Sequence, residues 1–235
     1  MNFELNKVYN IDCMEGMSCM PDNVVDFTIT DIPYNFWGNM KTSQDRAIYR
    51  GGVRQLNKGC ADIITFNLNE FLSELLRITK GSICVFCGFE QFSQIYSFFS
   101  ALENGTVRPL IWVKKNPSPM NGKYIYLSSA EFAVWYRPPG AAFNVFCKRN
   151  VFEYSQGSSE LFPTQKNMAL WEDIITDNAV EGNNIFDPCM GSGTTALAAL
   201  KNKMNFLGFE IDQGAFNLIQ HRLSENILYW LHNSN

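Results

Sequence analysis

The sequence predicts an α/β protein, a single sheet covered by helices on both faces. Two observations lead there. Short apolar runs alternate along the chain with stretches whose apolar residues recur at helical spacing. At 235 residues, 46% of them hydrophobic and 14% aromatic, the chain can also bury a full core as one domain spanning 1–235.

Strands are predicted over 7–11, 24–30, 82–87, 109–114, 130–136, 183–187 and 205–210. Between them, Asn67 suits the N-cap of a helix with Leu68, Phe71, Leu72, Leu75 and Leu76 on one face, and Gly81 is expected to end it. Phe92, Ile95, Phe99 and Leu102 mark a second helix. Met168, Trp171 and Ile175 mark a third, for which Thr164 offers a cap, and Phe216, Ile219, Leu223 and Ile227 mark the last. Two stretches have no clean period. Residues 38–62 are polar, basic and long enough for a functional loop, and residues 138–163, opening on Pro138-Pro139-Gly140, read as an insertion on the sheet.

No run approaches the roughly 18 apolar residues of a membrane helix, and the first residues do not form a signal peptide, so a soluble cytoplasmic protein with no membrane partner is expected. Seven scattered cysteines do not suit a disulfide framework in a chain of this size. Cys84 and Cys87 form a CxxC inside an apolar strand, without a second pair or a nearby His, so they read as buried thiols and no metal site is predicted. The net charge of −4 conceals an uneven distribution. Residues 38–60 hold five basic side chains against Asp45 alone, and residues 108–150 hold seven against Glu131 alone, so the remainder carries −14. Two basic segments on an acidic body suit a surface that follows phosphates, although charge runs are often plain solvated loops.

Two short strings carry the chemistry. Near the C-terminus, Phe186-Asp187-Pro188-Cys189-Met190-Gly191-Ser192-Gly193-Thr194-Thr195 places a glycine turn between a strand and a helix. The next strand ends at Glu210, 23 positions after Asp187. A strand, glycine turn, helix, strand and terminal acid form a nucleoside-binding unit in which the acid accepts from ribose hydroxyls. No Lys follows the second glycine, which excludes a P-loop, and the third glycine of a nicotinamide fingerprint is missing. Near the N-terminus, Asp31-Ile32-Pro33-Tyr34 follows the apolar run 24–30 and so sits at the carboxyl end of a strand.

Together these strings resemble the amino-methylating DNA methyltransferases, and their order resembles the β group of that family. The resemblance implies a circularly permuted Rossmann-like sheet, S-adenosylmethionine (AdoMet) as cofactor and double-stranded DNA as substrate. A second subunit and a cognate restriction endonuclease are further partners it allows. AdoMet carries no phosphate, so an acidic loop suits its positive charge. The cofactor residues it implies are Asp12 and Cys13 at the adenine, Thr164 in Pro163-Thr164-Gln165-Lys166, and Asp187, Pro188, Cys189, Gly191, Gly193 and Glu210. Phe162 and Asn167 replace the His and final Pro that flank the family's Pro-Thr-Gln-Lys string. It places the target-recognition segment at 138–163 and suggests a mobile DNA-binding loop at 38–62. Lys41, Arg46, Arg50, Arg54, Lys148 and Arg149 are then the expected DNA contacts.

Methylating an exocyclic amine requires acceptors for its hydrogens, because its lone pair is delocalised into the ring. Asp31 and the main-chain carbonyl of Ile32 are the expected acceptors, with Pro33 fixing the turn and Tyr34 stacking on the base. The family's commonest string, Asp-Pro-Pro-Tyr, has Pro where this chain has Ile32, which a main-chain contact tolerates. Asp31 favours adenine N6 over cytosine N4, where the family more often has Ser. Pro188-Cys189 lies inside the cofactor turn and is not read as the nucleophile of a cytosine-C5 enzyme. A non-catalytic DNA-binding homologue is the remaining alternative, opposed by the intact motif residues.

Overall fold

The computed structural model describes residues 3–34, 64–119, 123, 126–157 and 165–233. Among these, the strands are β1 (Lys7–Tyr9), β2 (Val25–Asp31), β3 (Thr79–Cys87), β4 (Thr106–Lys114), β5 (Ala130–Arg137), β6 (Val151–Tyr154), β7 (Asn184–Asp187) and β8 (Asn205–Phe209). The helices are α1 (Cys13–Ser18), α2 (Leu68–Ile78), α3 (Phe89–Ser100), α4 (Met168–Asn178), α5 (Thr194–Lys201) and α6 (Gln213–Asn233). No described helix is long and apolar enough to cross a membrane.

The strands form one sheet in the order β1-β8-β7-β2-β3-β5-β4-β6. Only β5 runs against its neighbours, and every other pairing is parallel. A parallel sheet needs cover on both faces, and the alternation along β3 shows how it is supplied. Cys84 and Phe86 join Phe27, Ile29 and Trp112 beneath Trp171 and Ile175 of α4, Leu197 of α5 and Ile219 of α6. Ile83 and Val85 face the other way, against Met17 of α1, Leu72 and Leu75 of α2 and Ile95 of α3. The predicted two-sided α/β architecture is the one observed.

Two expectations are corrected. The segment 138–163 is not a separate insertion over its described part, because Val151–Tyr154 pairs with β4 as the edge strand of the sheet. The chain before it is fixed to α4, where the Asn144 amide donates to the carbonyl oxygens of Thr176 and Ala179, 2.9 Å each. Gly81 does not end a helix either. The Asn67 side chain caps α2 as expected, but the helix stops at Ile78 and Gly81 lies within β3.

Gly81 meets a different need. The β2–β3 register shifts between Val25 and Phe27, where Lys80 and Gly81 of β3 stand opposite Asp26 alone, so β3 bulges at Gly81. A Cβ on residue 81 would lie 1.8 Å from the Asp26 carbonyl oxygen. Asp26 is fixed by its own carboxylate, which accepts from the Asn184 main-chain N–H at 2.9 Å and pairs with Lys80 at 2.9 Å. Since the backbone has nowhere to retreat, Gly81→Ala should lower the stability by about 1–3 kcal/mol through overpacking. Urea unfolding measures this, and an unchanged midpoint would show that the bulge can relax.

Candidate active site

Strands β1, β8, β7 and β2 are adjacent and parallel, so their carboxyl ends share one edge of the sheet. β7 ends in Asp187 and β2 in Asp31, while Glu210 follows β8 and Asp12 lies just beyond β1. From the central β7/β2 pair, the chain proceeds through α5 to β8 on one side and through α2 to β3 on the other. The crevice at such a divergence is where open α/β sheets bind ligands.

The glycine loop fits this position. Gly191 and Gly193 have φ of +54° and +79°, in the left-handed region that favours glycine. An added Cβ at Gly191 would meet nothing closer than the Cys189 carbonyl oxygen at 3.8 Å, so the backbone there borders open space. The Glu210 carboxylate braces the loop, accepting from the Gly191 N–H at 2.7 Å through Oε2 and from the Asp212 N–H at 2.8 Å through Oε1. Each oxygen has a second lone pair, enough for a ribose diol. Asp187 faces inward. It accepts from Thr195 Oγ1 at 2.5 Å and from the Cys189 N–H at 3.0 Å, and Trp171 Nε1 donates to the same Thr195 hydroxyl at 2.9 Å. Burial raises the Asp187 carboxyl to about 7, against the hydrogen bonds led by Thr195.

Asp12 caps α1, accepting from the N–H groups of Met14 at 2.8 Å and Glu15 at 3.3 Å. Its neighbour Cys13 is buried. A hydrogen bond with Cys13, added to burial, holds the Cys189 thiol well above its usual pKa, so Cys189 is poorly suited to act as a thiolate nucleophile. The edge thus presents Asp12, Glu210 and a backbone approach at Gly191. This donor and acceptor set fits a nucleoside bearing a positive charge rather than a phosphate.

The Asp31–Tyr34 string is held by α3 and by a buried ionic cluster. The Ile32 N–H donates to the Phe86 carbonyl at 3.1 Å. The Gln91 amide donates to the Pro33 carbonyl at 2.7 Å, while its oxygen accepts from the Gly88 N–H at 2.7 Å. Beside the turn, the Lys166 ammonium pairs with Asp31 Oδ2 at 2.9 Å, pairs with Glu131 Oε2, and donates to the Tyr34 hydroxyl at 3.0 Å. The Tyr34 hydroxyl in turn donates to Glu131 Oε2 at 3.0 Å. Lys114 closes the cluster on Glu131 Oε1 at 2.7 Å. The rings of Tyr34, Phe86 and Trp112 surround Lys166 at 5.2, 5.7 and 5.8 Å from Nζ. Burial alone would raise the Glu131 carboxyl, but Lys166 and Lys114 outweigh it and bring it down to about 2. For Asp31 burial wins against Lys166, helped by Glu131, and its carboxyl lies above the usual aspartate value. Asp31 Oδ1 is a buried acceptor without a hydrogen-bond partner among the described residues.

Nothing in the sequence alone assigns roles to Lys166, Glu131, Lys114 or Gln91. Glu131 does stand out, as a lone acid in the apolar run Phe132-Ala133-Val134-Trp135 and its flank. Thr164 lies outside the described residues, as do Lys41, Arg46, Arg50 and Arg54 and the whole loop 38–62 apart from its sequence. The cap of α4 is Asn167, not Thr164, with its side chain accepting from the Leu170 N–H at 3.0 Å. Lys148 is also reassigned. Its ammonium is held between Asp173 and Asp177 of α4, 2.6 Å from each, and so fastens the 138–157 segment to the fold rather than standing ready for a phosphate. Arg149 is exposed.

Comparison with known proteins points one way. A family model described as DNA methylase, for N6 and N4 methyltransferases, matches residues 143–221. The type II methyltransferase M.HinfI of Haemophilus influenzae is 23% identical, covering 96% of this chain and 70% of its own length. M2.MboI of Moraxella bovis is 24% identical, covering 93% of this chain and 87% of its own length. The crystal structure of an M1.HpyAVI–SAM complex superposes with a TM-score of 0.68 at 25% identity, over 92% of this chain and 98% of the other. The cytosine-N4-specific PvuII DNA methyltransferase shares the fold at a TM-score of 0.67 and 13% identity, over 92% of this chain and 86% of the other.

The raised Asp187 carboxyl has a measurable consequence. Between 3.8 and about 7 the folded chain holds a proton there that the unfolded chain releases. Its contribution to stability is therefore complete below that window and lost as pH rises through about 7. Asp187→Asn cannot ionise, so wild-type stability minus mutant stability should fall across the window and level off above it. Chemical denaturation at stepped pH gives that difference, and a constant value from pH about 4 to about 8 would remove the assignment.

Proposed function

Because the chain belongs to the amino-group (N6/N4) DNA methyltransferases, we propose that it methylates the N6 of an adenine rotated out of double-stranded DNA, using AdoMet. The observation that carries the reading is Asp31. It ends the strand beside Asp187 and keeps one carboxylate oxygen unpartnered among the described residues, where an amine would need an acceptor.

AdoMet supplies a methyl group on a positively charged sulfur. Glu210 would hold its ribose, with the backbone at Gly191 and Gly193 allowing close approach and Asp12 and Cys13 bordering the adenine. Asp31 accepts one N–H of the target amine and the Ile32 carbonyl accepts the other, since the Pro33 carbonyl already serves Gln91. Drawing on both hydrogens moves the nitrogen towards sp³ and gives it a usable lone pair. Tyr34 offers its ring to the base, and stacking of about 1–3 kcal/mol offsets much of the few kcal/mol needed to unstack it. The first residue of the string supports adenine, because the family's cytosine-N4 members more often carry Ser there.

For the DNA, the reading relies on Arg149 and on the basic segment 38–62, whose sequence begins four residues after Tyr34. Residues 138–163 remain the proposed site-choosing segment, and a segment this short implies a short recognition sequence.

Nucleoside mass spectrometry of DNA incubated with the protein and AdoMet tests the reading, and N6-methyladenine is expected. Asp31→Ala should abolish it while leaving AdoMet affinity, by calorimetry, within a few-fold. N4-methylcytosine alone would overturn the base assignment, and wild-type turnover in Asp31→Ala would overturn the role of Asp31.

A further inference from the structure

Lys166 spends all three of its ammonium donors inside the site, on Asp31 Oδ2, Glu131 Oε2 and the Tyr34 hydroxyl. That is more than packing requires. A buried lysine is stabilised by one good carboxylate, and Glu131 is already the nearer of the two. The contact with Asp31 instead divides that carboxylate into two unlike oxygens. Oδ2 is engaged by a cation, and Oδ1 is left as a buried acceptor with no partner among the described residues. The contact with Tyr34 fixes the other end of the string, as the same ammonium lies 5.2 Å from the centre of that ring.

We infer that Lys166 is a positioning residue of the transfer step, gripping Asp31 by Oδ2 so that Oδ1 is presented to the target amine, and tying Asp31 and Tyr34 into one rigid unit through Glu131. The inference rests on the methyltransferase reading above and extends it to a residue of the chain's second half, 135 positions from Asp31 in sequence. It also ties Asp31's charge to Lys166. Among the described residues, the charged or titratable groups around Asp31 are Lys166, Glu131, Tyr34, Cys87 on β3 and Asp187 on β7, with Lys114 reaching it only through Glu131. Lys166 is the one cation in direct contact among them. Without it, burial and Glu131 are opposed only by a hydrogen bond from Tyr34, and the carboxyl ionises at higher pH.

Single-turnover methyl transfer to DNA at saturating AdoMet, followed across pH, separates positioning from mere structure. Lys166→Gln should slow transfer by about 100-fold, the order of loss that a misplacement of about 1 Å produces at a reacting group. Its AdoMet affinity should stay within a few-fold, and its acid limb should move to higher pH. Lys166→Arg keeps the charge but replaces a compact ammonium with a wide planar fork, so its limb should stay in place while its rate falls. A wild-type rate and limb in Lys166→Gln would overturn the inference. If Lys166→Gln does not fold, Lys166→Arg decides, and a wild-type rate there would overturn it. A wild-type protein that methylates neither adenine nor cytosine would instead overturn the methyltransferase reading itself.

Discussion

An ammonium buried among aromatic rings loses its hydration and survives only where carboxylates replace the water. Lys166 meets that requirement with Asp31 and Glu131, and Glu131 in turn holds Lys114 and the Tyr34 hydroxyl. Two cations and two anions balance, so the cluster can be closed to solvent without a net charge. Because its members come from β2, β4, β5 and the approach to α4, the same contacts that neutralise Lys166 also join four parts of the chain at the Asp31–Tyr34 turn. Gln91 adds a neutral brace from α3. The turn is therefore positioned by electrostatics on one side and by a helix start on the other.

The half around the glycine loop is assembled differently, from main-chain pairing of strands near the two chain ends. β1 runs parallel beside β8, with Lys7 opposite Leu207 and Tyr9 opposite Phe209. Beyond the strands, the Glu210 N–H donates to the Tyr9 carbonyl at 3.0 Å and the Asn10 amide donates to the Glu210 carbonyl at 2.7 Å. These bonds bring Asp12 next to the glycine loop although they are far apart in sequence. A permuted motif order is workable because the sheet, rather than the order of the chain, decides which strand ends lie together. β7 beside β2 then sets the glycine-loop half against the half that carries Asp31.

Most of the fold was legible because its strands are apolar runs with covered faces, and its helices carry stripes such as Phe71, Leu72 and Leu75. β6 escaped because an edge strand of four residues, Val151-Phe152-Glu153-Tyr154, has too little period to stand out beside a proline-glycine turn. Gly81 misled because glycine after a helical stripe suggests a cap, whereas its actual constraint is a bulge in β3 that presses it against the Asp26 carbonyl of β2, which local sequence cannot reveal. Lys148 misled for the same reason, since its two carboxylate partners lie 25 and 29 positions away on α4. The strand-end placement of Asp31, Asp187 and Glu210 was readable from glycine and proline punctuation. The ionic cluster was not, because pairing between Glu131 and Lys166 is a property of the closed sheet.

The most direct test of that cluster removes one charge and almost no volume. Single-turnover methyl transfer to DNA by Glu131→Gln, at saturating AdoMet, leaves Lys166 and Lys114 facing one fewer anion and Tyr34 without its charged acceptor. The account predicts transfer slowed by about 10-fold or more with AdoMet affinity retained, as when a reacting group is displaced by a fraction of an ångström. Transfer at the wild-type rate by a folded Glu131→Gln protein would contradict it, and would mean that the catalytic turn holds its shape without the cluster.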